Sequence, residues 1–161
     1  MKRQLFLLII LIVFVVFGYV KQEENNTSIV QFETTKIAKI IDVANSYVGV
    51  SYRAGGTTPN GMDCSGLINT SFKQIGINLP RSSSTMSTKG TKVNLENVQP
   101  GDLLFFDISR LEGEVNHVGL VTSVDNEDIR FIHSTTSQGV IVNSLHENYW
   151  KQAFIKAKRV I

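Results

Sequence analysis

The sequence predicts an α+β domain in which N-terminal helices pack on an antiparallel sheet of about five strands. Apolar residues repeat at helical spacing between residues 34 and 76, whereas short runs of β-type residues occupy residues 102–161. Tight turns such as residues 125–128 separate successive runs, which favours antiparallel pairing. A chain of 161 residues, 42% of them hydrophobic, has the size and composition of one globular core.

Residues 1–20 are predicted to form a signal peptide or a membrane anchor, outside the folded domain. An apolar run without charge extends from Leu5 to Val20, and Lys2 and Arg3 precede it. The run is short for a membrane-spanning helix and long for the apolar part of a signal peptide, so both alternatives stay open. The positive charges before the run predict that the domain lies outside the cytoplasmic membrane, in the cell envelope or secreted.

The charge of the domain argues against nucleic acid as a partner. Two of the 16 Lys and Arg residues lie in the leader, which contains none of the 14 Asp and Glu residues, so the remainder is formally neutral. No basic stretch is interleaved with aromatic residues, and a nucleic-acid binder needs a basic surface. We therefore expect no nucleic acid partner.

The first element of the domain is a predicted helix that follows a tether. Residues 21–33 are polar and rich in Glu and Asn, which is typical of a tether between a membrane and a domain over residues 34–161. Thr34 or Thr35 is the expected N-cap of the helix. Its core-facing side comprises Ile37, Ile40, Ile41, Ala44, Tyr47 and Val48.

A second helix is predicted after a turn-rich segment over residues 52–61. Asp63 stands at the N-cap position, Cys64 falls on the first turn, and Gly76 ends the apolar pattern as a C-terminal glycine. One face of this helix comprises Cys64, Leu67, Ile68, Ser71, Phe72 and Ile75.

The strands follow a polar loop over residues 81–97. Short β-type runs there predict strands over residues 102–106, 117–124, 129–133, 140–142 and 154–161.

The single cysteine, Cys64, is the candidate nucleophile. Because the chain has no second cysteine, an internal disulfide is excluded. A thiol at a helix N-terminus faces unsatisfied amide groups and the positive end of the helix dipole, which predicts a pKa below that of a free thiol. The alternative is a buried cysteine that acts as a small hydrophobic residue.

Two of the three histidines lie in consecutive predicted strands, so a hairpin would bring His117 and His133 together, facing Cys64. A nucleophilic thiol needs a base and a group that orients the base, and these histidines are the candidates. Gly119, on the same strand face as His117, predicts room for a substrate or for the helix. Either histidine taken alone is also consistent with a structural role. His146 lacks such a context and is expected on the surface.

Several motifs, in order and spacing, resemble the NlpC-type bacterial cell-wall peptidases. The resemblance covers about residues 35–161 and rests on Tyr52 with Gly55-Gly56, Asp63-Cys64-Ser65-Gly66-Leu67, Leu79-Pro80-Arg81-Ser82, Pro100-Gly101-Asp102-Leu103-Leu104-Phe105-Phe106, His117-Val118-Gly119-Leu120 and Ile132-His133-Ser134.

The resemblance implies a minimal papain-like fold and hydrolysis of peptidoglycan stem peptides, at the bond between D-γ-glutamate and a diamino acid. It implies a triad with Cys64 as nucleophile, His117 as base and His133 as orienter, and it requires no metal or organic cofactor. It also implies contact with substrate for Tyr52, Asp63, Ser65, Arg81 and Ser82. Asp63 would meet the amino end of the substrate and Tyr52 would shape the acyl site, although a helix cap and a core residue are their structural alternatives.

The sequence departs from the family pattern at Ser51, Met86 and Val121, and Met86 replaces a glutamine that usually forms hydrogen bonds in its loop. Three other functions stay open. The first is an amidase on the same framework, the second is a catalytically silent wall-binding domain, and the third is a zinc site. Zinc is the weakest of these, since the Cys and His residues lack the close spacing of zinc-ligand pairs.

Overall fold

The computed structural model describes residues 2–108, 114–126 and 128–161, with only the backbone described for residues 2–13. The chain divides into two compact units, residues 1–35 and 36–161. The second unit contains every described strand and corresponds closely to the predicted domain, residues 34–161.

The first helix is longer than the sequence predicts, since α1 spans Lys2–Asn45. The predicted N-caps are wrong: the hydroxyls of Thr34 and Thr35 donate to the carbonyl oxygens of Val30 and Gln31, one turn earlier in the same helix. Residues 21–33 contain no glycine or proline, so nothing in their backbone breaks the helix. Of the predicted leader, residue 1 lies outside the described part. Across the described residues, no helix combines the length and the hydropathy that a membrane span needs.

The helix that carries the cysteine agrees closely with its prediction. The α2 helix spans Cys64–Lys73, and Asp63 is its N-cap. Gly76 ends the following turn with a φ of +79°, a conformation that favours glycine. Ahead of α2, the turn-rich segment forms a small hairpin of β1, Thr57–Thr58, and β2, Gly61–Met62.

A six-stranded sheet forms the other layer of the fold. Its strands are β3 Thr91–Val93, β4 Leu103–Phe106, β5 His117–Asp125, β6 Asp128–Thr135, β7 Gly139–Ser144 and β8 Phe154–Arg159. Their spatial order is β3-β8-β4-β5-β6-β7, and all neighbours pair antiparallel. The five predicted strands are confirmed, and the α+β class with them. The additional strand, β3, is an edge strand in the segment predicted as a polar loop.

Two short helices and a 3₁₀ turn complete the domain: α3 at Ser83–Met86, the 3₁₀ turn at Leu95–Asn97 and α4 at Asn148–Ala153. The departure at Met86 has a structural role, because this side chain is fully buried in the core.

Each face of the sheet has its own hydrophobic core. On one face, Phe105, Leu120 and Ile132 pack with residues of α2 such as Leu67 and Phe72. On the other face, the buried side chains include Phe106, Phe131 and Trp150 of α4. The N-terminus of α2 therefore lies against the sheet near the first residues of β5.

Candidate active site

Cys64 is the first residue of α2 and is partly buried. The Asp63 carboxylate caps this helix by accepting a hydrogen bond from the backbone N–H of Gly66 at 2.7 Å. Backbone N–H groups of Val118, on β5, and of Ser65 donate to the sulfur. The thiol thus lies between a helix terminus and the start of a strand, beside His117.

The pKa of Cys64 differs from the sequence prediction. Burial raises it to about 11, and the hydrogen bonds from Val118 and Ser65 offset only part of that rise. The nearby Asp63 carboxylate contributes to the same rise. The expectation of a lowered pKa is therefore wrong for the thiol in this structure, because removal from water outweighs the favourable helix terminus.

The two strand histidines form a hydrogen bond with each other, as the hairpin prediction requires. Strands β5 and β6 pair antiparallel, and Nε2 of His117 lies 2.8 Å from Nδ1 of His133. Both rings are buried, and Nε2 of His133 lies 2.8 Å from Oδ1 of Asn143 on β7. Burial lowers the pKa of His133 to about 4, so its ring is uncharged near neutral pH.

The Trp150 indole covers this histidine pair and was not anticipated from the sequence. It stacks on His117 with ring centroids 5.5 Å apart and meets His133 edge-on at 4.5 Å. An aromatic cover limits the access of water to the bond between the two rings. Trp150 is the chain's only tryptophan, and this was the one feature of the sequence that could have indicated a special role for it.

The predicted role of Gly119 needs correction. A Cβ at this position would lie 2.5 Å from Cδ2 of Phe131. The space that glycine leaves is therefore occupied by the Phe131 ring from the neighbouring strand, and neither a substrate nor the helix enters it.

Asp63 and Arg81 form a bidentate ion pair next to the thiol. Nη1 and Nη2 of Arg81 donate to Oδ1 and Oδ2 of Asp63 at 2.7 and 2.8 Å, and Nη1 also donates to the Ser65 hydroxyl at 2.7 Å. The Gly55 N–H donates to Oδ2 as well. Burial opposes the charge of Asp63, but the hydrogen bonds from Arg81 and Gly66 outweigh it and hold the pKa of this carboxyl below its usual value.

A shallow depression beside the thiol collects all five residues for which substrate contact was predicted. It has a volume of about 360 Å³, and among its lining residues are Tyr52, Asp63, Cys64, Ser65, Arg81 and Ser82. Ser82 is also the N-cap of α3, since its hydroxyl accepts from the Thr85 N–H.

A second depression, of about 340 Å³, lies on the other side of the thiol. Its lining includes Cys64, His117, Asn143, Glu147, Tyr149 and Trp150. Tyr52 and Cys64 belong to both depressions, so the two depressions adjoin at the thiol. This is the arrangement that an endopeptidase needs, because a peptide must extend on both sides of the attacked bond.

Neither the metal hypothesis nor a role for His146 gains support from the geometry. Among the residues that the structure describes, no group of three or more His, Cys, Asp and Glu side chains is arranged to hold a metal ion. His146 is exposed, as predicted.

Comparison with known proteins gives a consistent result. The model of the NlpC/P60 family matches residues 49–159. The chain is 38% identical over 125 residues to "Murein DD-endopeptidase MepS/Murein LD-carboxypeptidase" of Escherichia coli, covering 77% of this chain and 63% of that protein. It is 37% identical over 122 residues to "Gamma-DL-glutamyl hydrolase" of Bacillus subtilis, covering 74% of this chain and 28% of that protein. The chain therefore spans less than two thirds of the length of these relatives.

Among solved structures, an NlpC/P60 family protein from Bacillus cereus superposes with a TM-score of 0.69 and 31% identity, over 77% of this chain and 40% of that one. The papain-like α+β architecture implied by the sequence motifs is thus confirmed at the level of the fold.

Proposed function

Because the chain belongs to the NlpC/P60 family, we propose that it is a cysteine endopeptidase that hydrolyses peptidoglycan stem peptides. The observation that carries this proposal is that Cys64 and His117 line the same open depression, with buried His133 hydrogen-bonded behind His117. Cys64 comes from the N-terminus of α2, and the bonded pair of His117 and His133 comes from two strands of the sheet.

The proposed chemistry begins with a proton transfer. Since Nε2 of His117 bonds to His133, the thiol of Cys64 gives its proton to Nδ1 of His117. The thiolate then attacks the peptide carbonyl, and backbone amides at the start of α2 hold the oxyanion. His117 returns the proton to the leaving amine, and water hydrolyses the acyl-enzyme. Uncharged His133 keeps the imidazole of His117 in position throughout.

The bond we propose is the one between D-γ-glutamate and the diamino acid. The two relatives carry names for different bonds, a DD-endopeptidase and a γ-glutamyl hydrolase. Asp63 in the depression beside Cys64 supports the second, because the amino end of a short stem peptide could share the carboxylate that Asp63 now pairs with Arg81. On this proposal Tyr52 shapes the acyl site, and Ser65, Arg81 and Ser82 line the same part of the cleft.

Digestion of purified peptidoglycan, with fragments identified by mass spectrometry, tests bond and class together. We expect new fragments that end in D-γ-glutamate and none from the variant Cys64→Ser. Cleavage of D-alanyl cross-links would instead indicate a DD-endopeptidase, and release of stem peptides from the sugar would indicate an amidase. Intact peptidoglycan would indicate a silent wall-binding domain.

We also propose that residues 1–20 export the protein, as a removed signal peptide or as an anchor in the cytoplasmic membrane, with residues 21–33 as the tether. The apolar run with positive charges only before it supports this topology, and the proposed substrate lies outside the membrane. A reporter enzyme fused after Ile161 should be active only outside the cytoplasm. Activity inside the cytoplasm would refute export.

A further inference from the structure

The hydrogen bonds of the site continue beyond His133 to two residues that no motif marks. Asn143 on β7 accepts at Oδ1 from His133, and its Nδ2 donates to both carboxylate oxygens of Glu147, at 2.9 and 3.1 Å. Glu147 stands at the N-cap of α4, yet its side chain makes no capping bond there. A continuous chain of hydrogen bonds therefore connects His117, through His133 and Asn143, to Glu147.

The carboxylate of Glu147 determines which way the Asn143 amide faces. A carboxylate only accepts hydrogen bonds, so the group that faces it must be the amide NH₂. The backbone N–H of Ser144 donates to Oε1 of Glu147 at 3.0 Å and holds the carboxylate in place. Turning the amide over would bring its carbonyl oxygen against the carboxylate, with no hydrogen between them. Oδ1 of Asn143 is thereby directed at His133.

The orientation of the amide sets the tautomer of both histidines. Nε2 of His133 must carry the proton, because it donates to Oδ1 of Asn143. An uncharged ring has one protonated nitrogen, so Nδ1 of His133 is an acceptor and Nε2 of His117 donates to it. Nδ1 of an uncharged His117 then has the lone pair that can take a proton.

The opposite tautomer would not support the reaction. If Nδ1 of His133 carried the proton, Nε2 of His117 would have to be the acceptor of this hydrogen bond. The one ring proton of an uncharged His117 would then lie on its own Nδ1. A protonated Nδ1 cannot receive the proton of Cys64. A wrong tautomer in an otherwise intact triad is known to cost orders of magnitude in rate.

We propose that Asn143 and Glu147 are positioning residues whose hydrogen bonds fix the tautomers of His133 and His117, so that Nδ1 of His117 is the base of the site. Neither residue needs to touch the scissile bond. The assignment deepens the proposed peptidase function and rests on it for its catalytic meaning, but the tautomers themselves are measurable without substrate.

Nitrogen NMR of the full chain with ¹⁵N-labelled histidine tests the assignment directly, since the chemical shifts separate protonated from unprotonated ring nitrogens. The chain has three histidines, and exposed His146 serves as an internal reference. We expect Nε2 of both His117 and His133 to carry the proton near neutral pH. Protonated Nδ1 on His133 in the unmodified protein would overturn the proposal without the use of any variant.

Four variants extend the test to the two residues. Asn143→Leu and Glu147→Leu should populate the opposite tautomer and lower kcat/KM roughly 10- to 100-fold, the loss typical of outer partners of a functional histidine. Glu147→Gln keeps the oxygen that the Ser144 N–H holds but places an NH₂ at the other position, so it should disturb the tautomer and the activity less than Glu147→Leu does. Glu96→Leu, at an exposed position of the 3₁₀ turn, is the matched control and should change neither.

The outcomes separate this assignment from the proposed function. Unchanged tautomers in folded Asn143→Leu and Glu147→Leu would overturn the assignment, even if peptidoglycan is cleaved. A tautomer change in these variants supports it, even if the unmodified protein leaves peptidoglycan intact and the proposed function fails.

Discussion

At the scale of single residues, the site depends on how Cys64 and its neighbours respond to burial. The helix terminus and the donors from Val118 and Ser65 favour a thiolate, but burial favours the neutral thiol and raises the pKa to about 11. A lone thiolate is therefore costly in this site. In the proposed mechanism, transfer of the proton to His117 replaces the lone charge with an ion pair, and this pair is the form of Cys64 that reacts near neutral pH.

Sequence reasoning placed Cys64 correctly at the helix terminus but missed the size of the burial effect. The position follows from a local pattern, Asp63 followed by a helical apolar face. Burial depends on strand β5 closing over the thiol, and this contact is between residues more than 50 positions apart in sequence. The sequence did not indicate roles for Asn143 and Glu147 either, because it is the pairing of β6 with β7 that brings Asn143 to His133.

The orienting role proposed for His133 leads to a prediction about two substitutions. His133→Asn keeps a side-chain oxygen that can accept from Nε2 of His117, whereas His133→Ala leaves that buried donor without an acceptor. A buried unsatisfied donor costs about 1–3 kcal/mol, so the Asn variant should be roughly 5- to 150-fold more active than the Ala variant. Peptidoglycan hydrolysis rates of both, with folding verified by circular dichroism, check this. Equal losses would mean that His133 does not orient His117.

At the scale of elements, the regular pieces with strong local patterns were predictable. Helix α2 and the five longer strands have clear apolar periodicity and were found close to their predicted bounds. Strand β3 was missed because it is a three-residue exposed edge, held by its pairing with β8. Helix α4 was missed because six residues carry little periodic signal, although it supplies the Trp150 cover.

Contact between strands β5 and β6 gives a prediction about Gly119. In Gly119→Ala the new methyl group would lie 2.5 Å from Cδ2 of Phe131, a fully buried ring that packs against the rings of Phe106 and Trp150. We expect a loss of about 1–3 kcal/mol in the free energy of unfolding, as for other overpacked cores. Denaturant unfolding monitored by circular dichroism measures this loss.

A double-mutant cycle attributes the loss to the named contact. Gly119→Ala combined with Phe131→Leu should cost less than the sum of the two single variants, because the smaller side chain makes room for the methyl group. Strictly additive losses would show that the strain in Gly119→Ala arises elsewhere.

At the scale of the whole molecule, the site exists only where the two layers of the fold meet. The thiol belongs to a helix and the histidines belong to the sheet, and the cleft extends to both sides of that junction. The order of the predicted strands was enough to predict that His117 and His133 meet, because β5 and β6 pair as a hairpin. It could not predict the cover by Trp150 or the bonds to Asn143 and Glu147, which depend on the packing of α4 and β7.

The most direct test of this assembly is the rate of iodoacetamide labelling against pH, because Cys64 is the only thiol in the chain. In the unmodified protein, His117 can take the proton of Cys64, so labelling should proceed near neutral pH. His117→Ala removes the acceptor and leaves the burial, which raises the pKa of the thiol, so its labelling midpoint should move upward. Circular dichroism confirms that both proteins are folded. Coincident profiles for the two proteins would contradict the pairing of Cys64 with His117, and with it the peptidase mechanism.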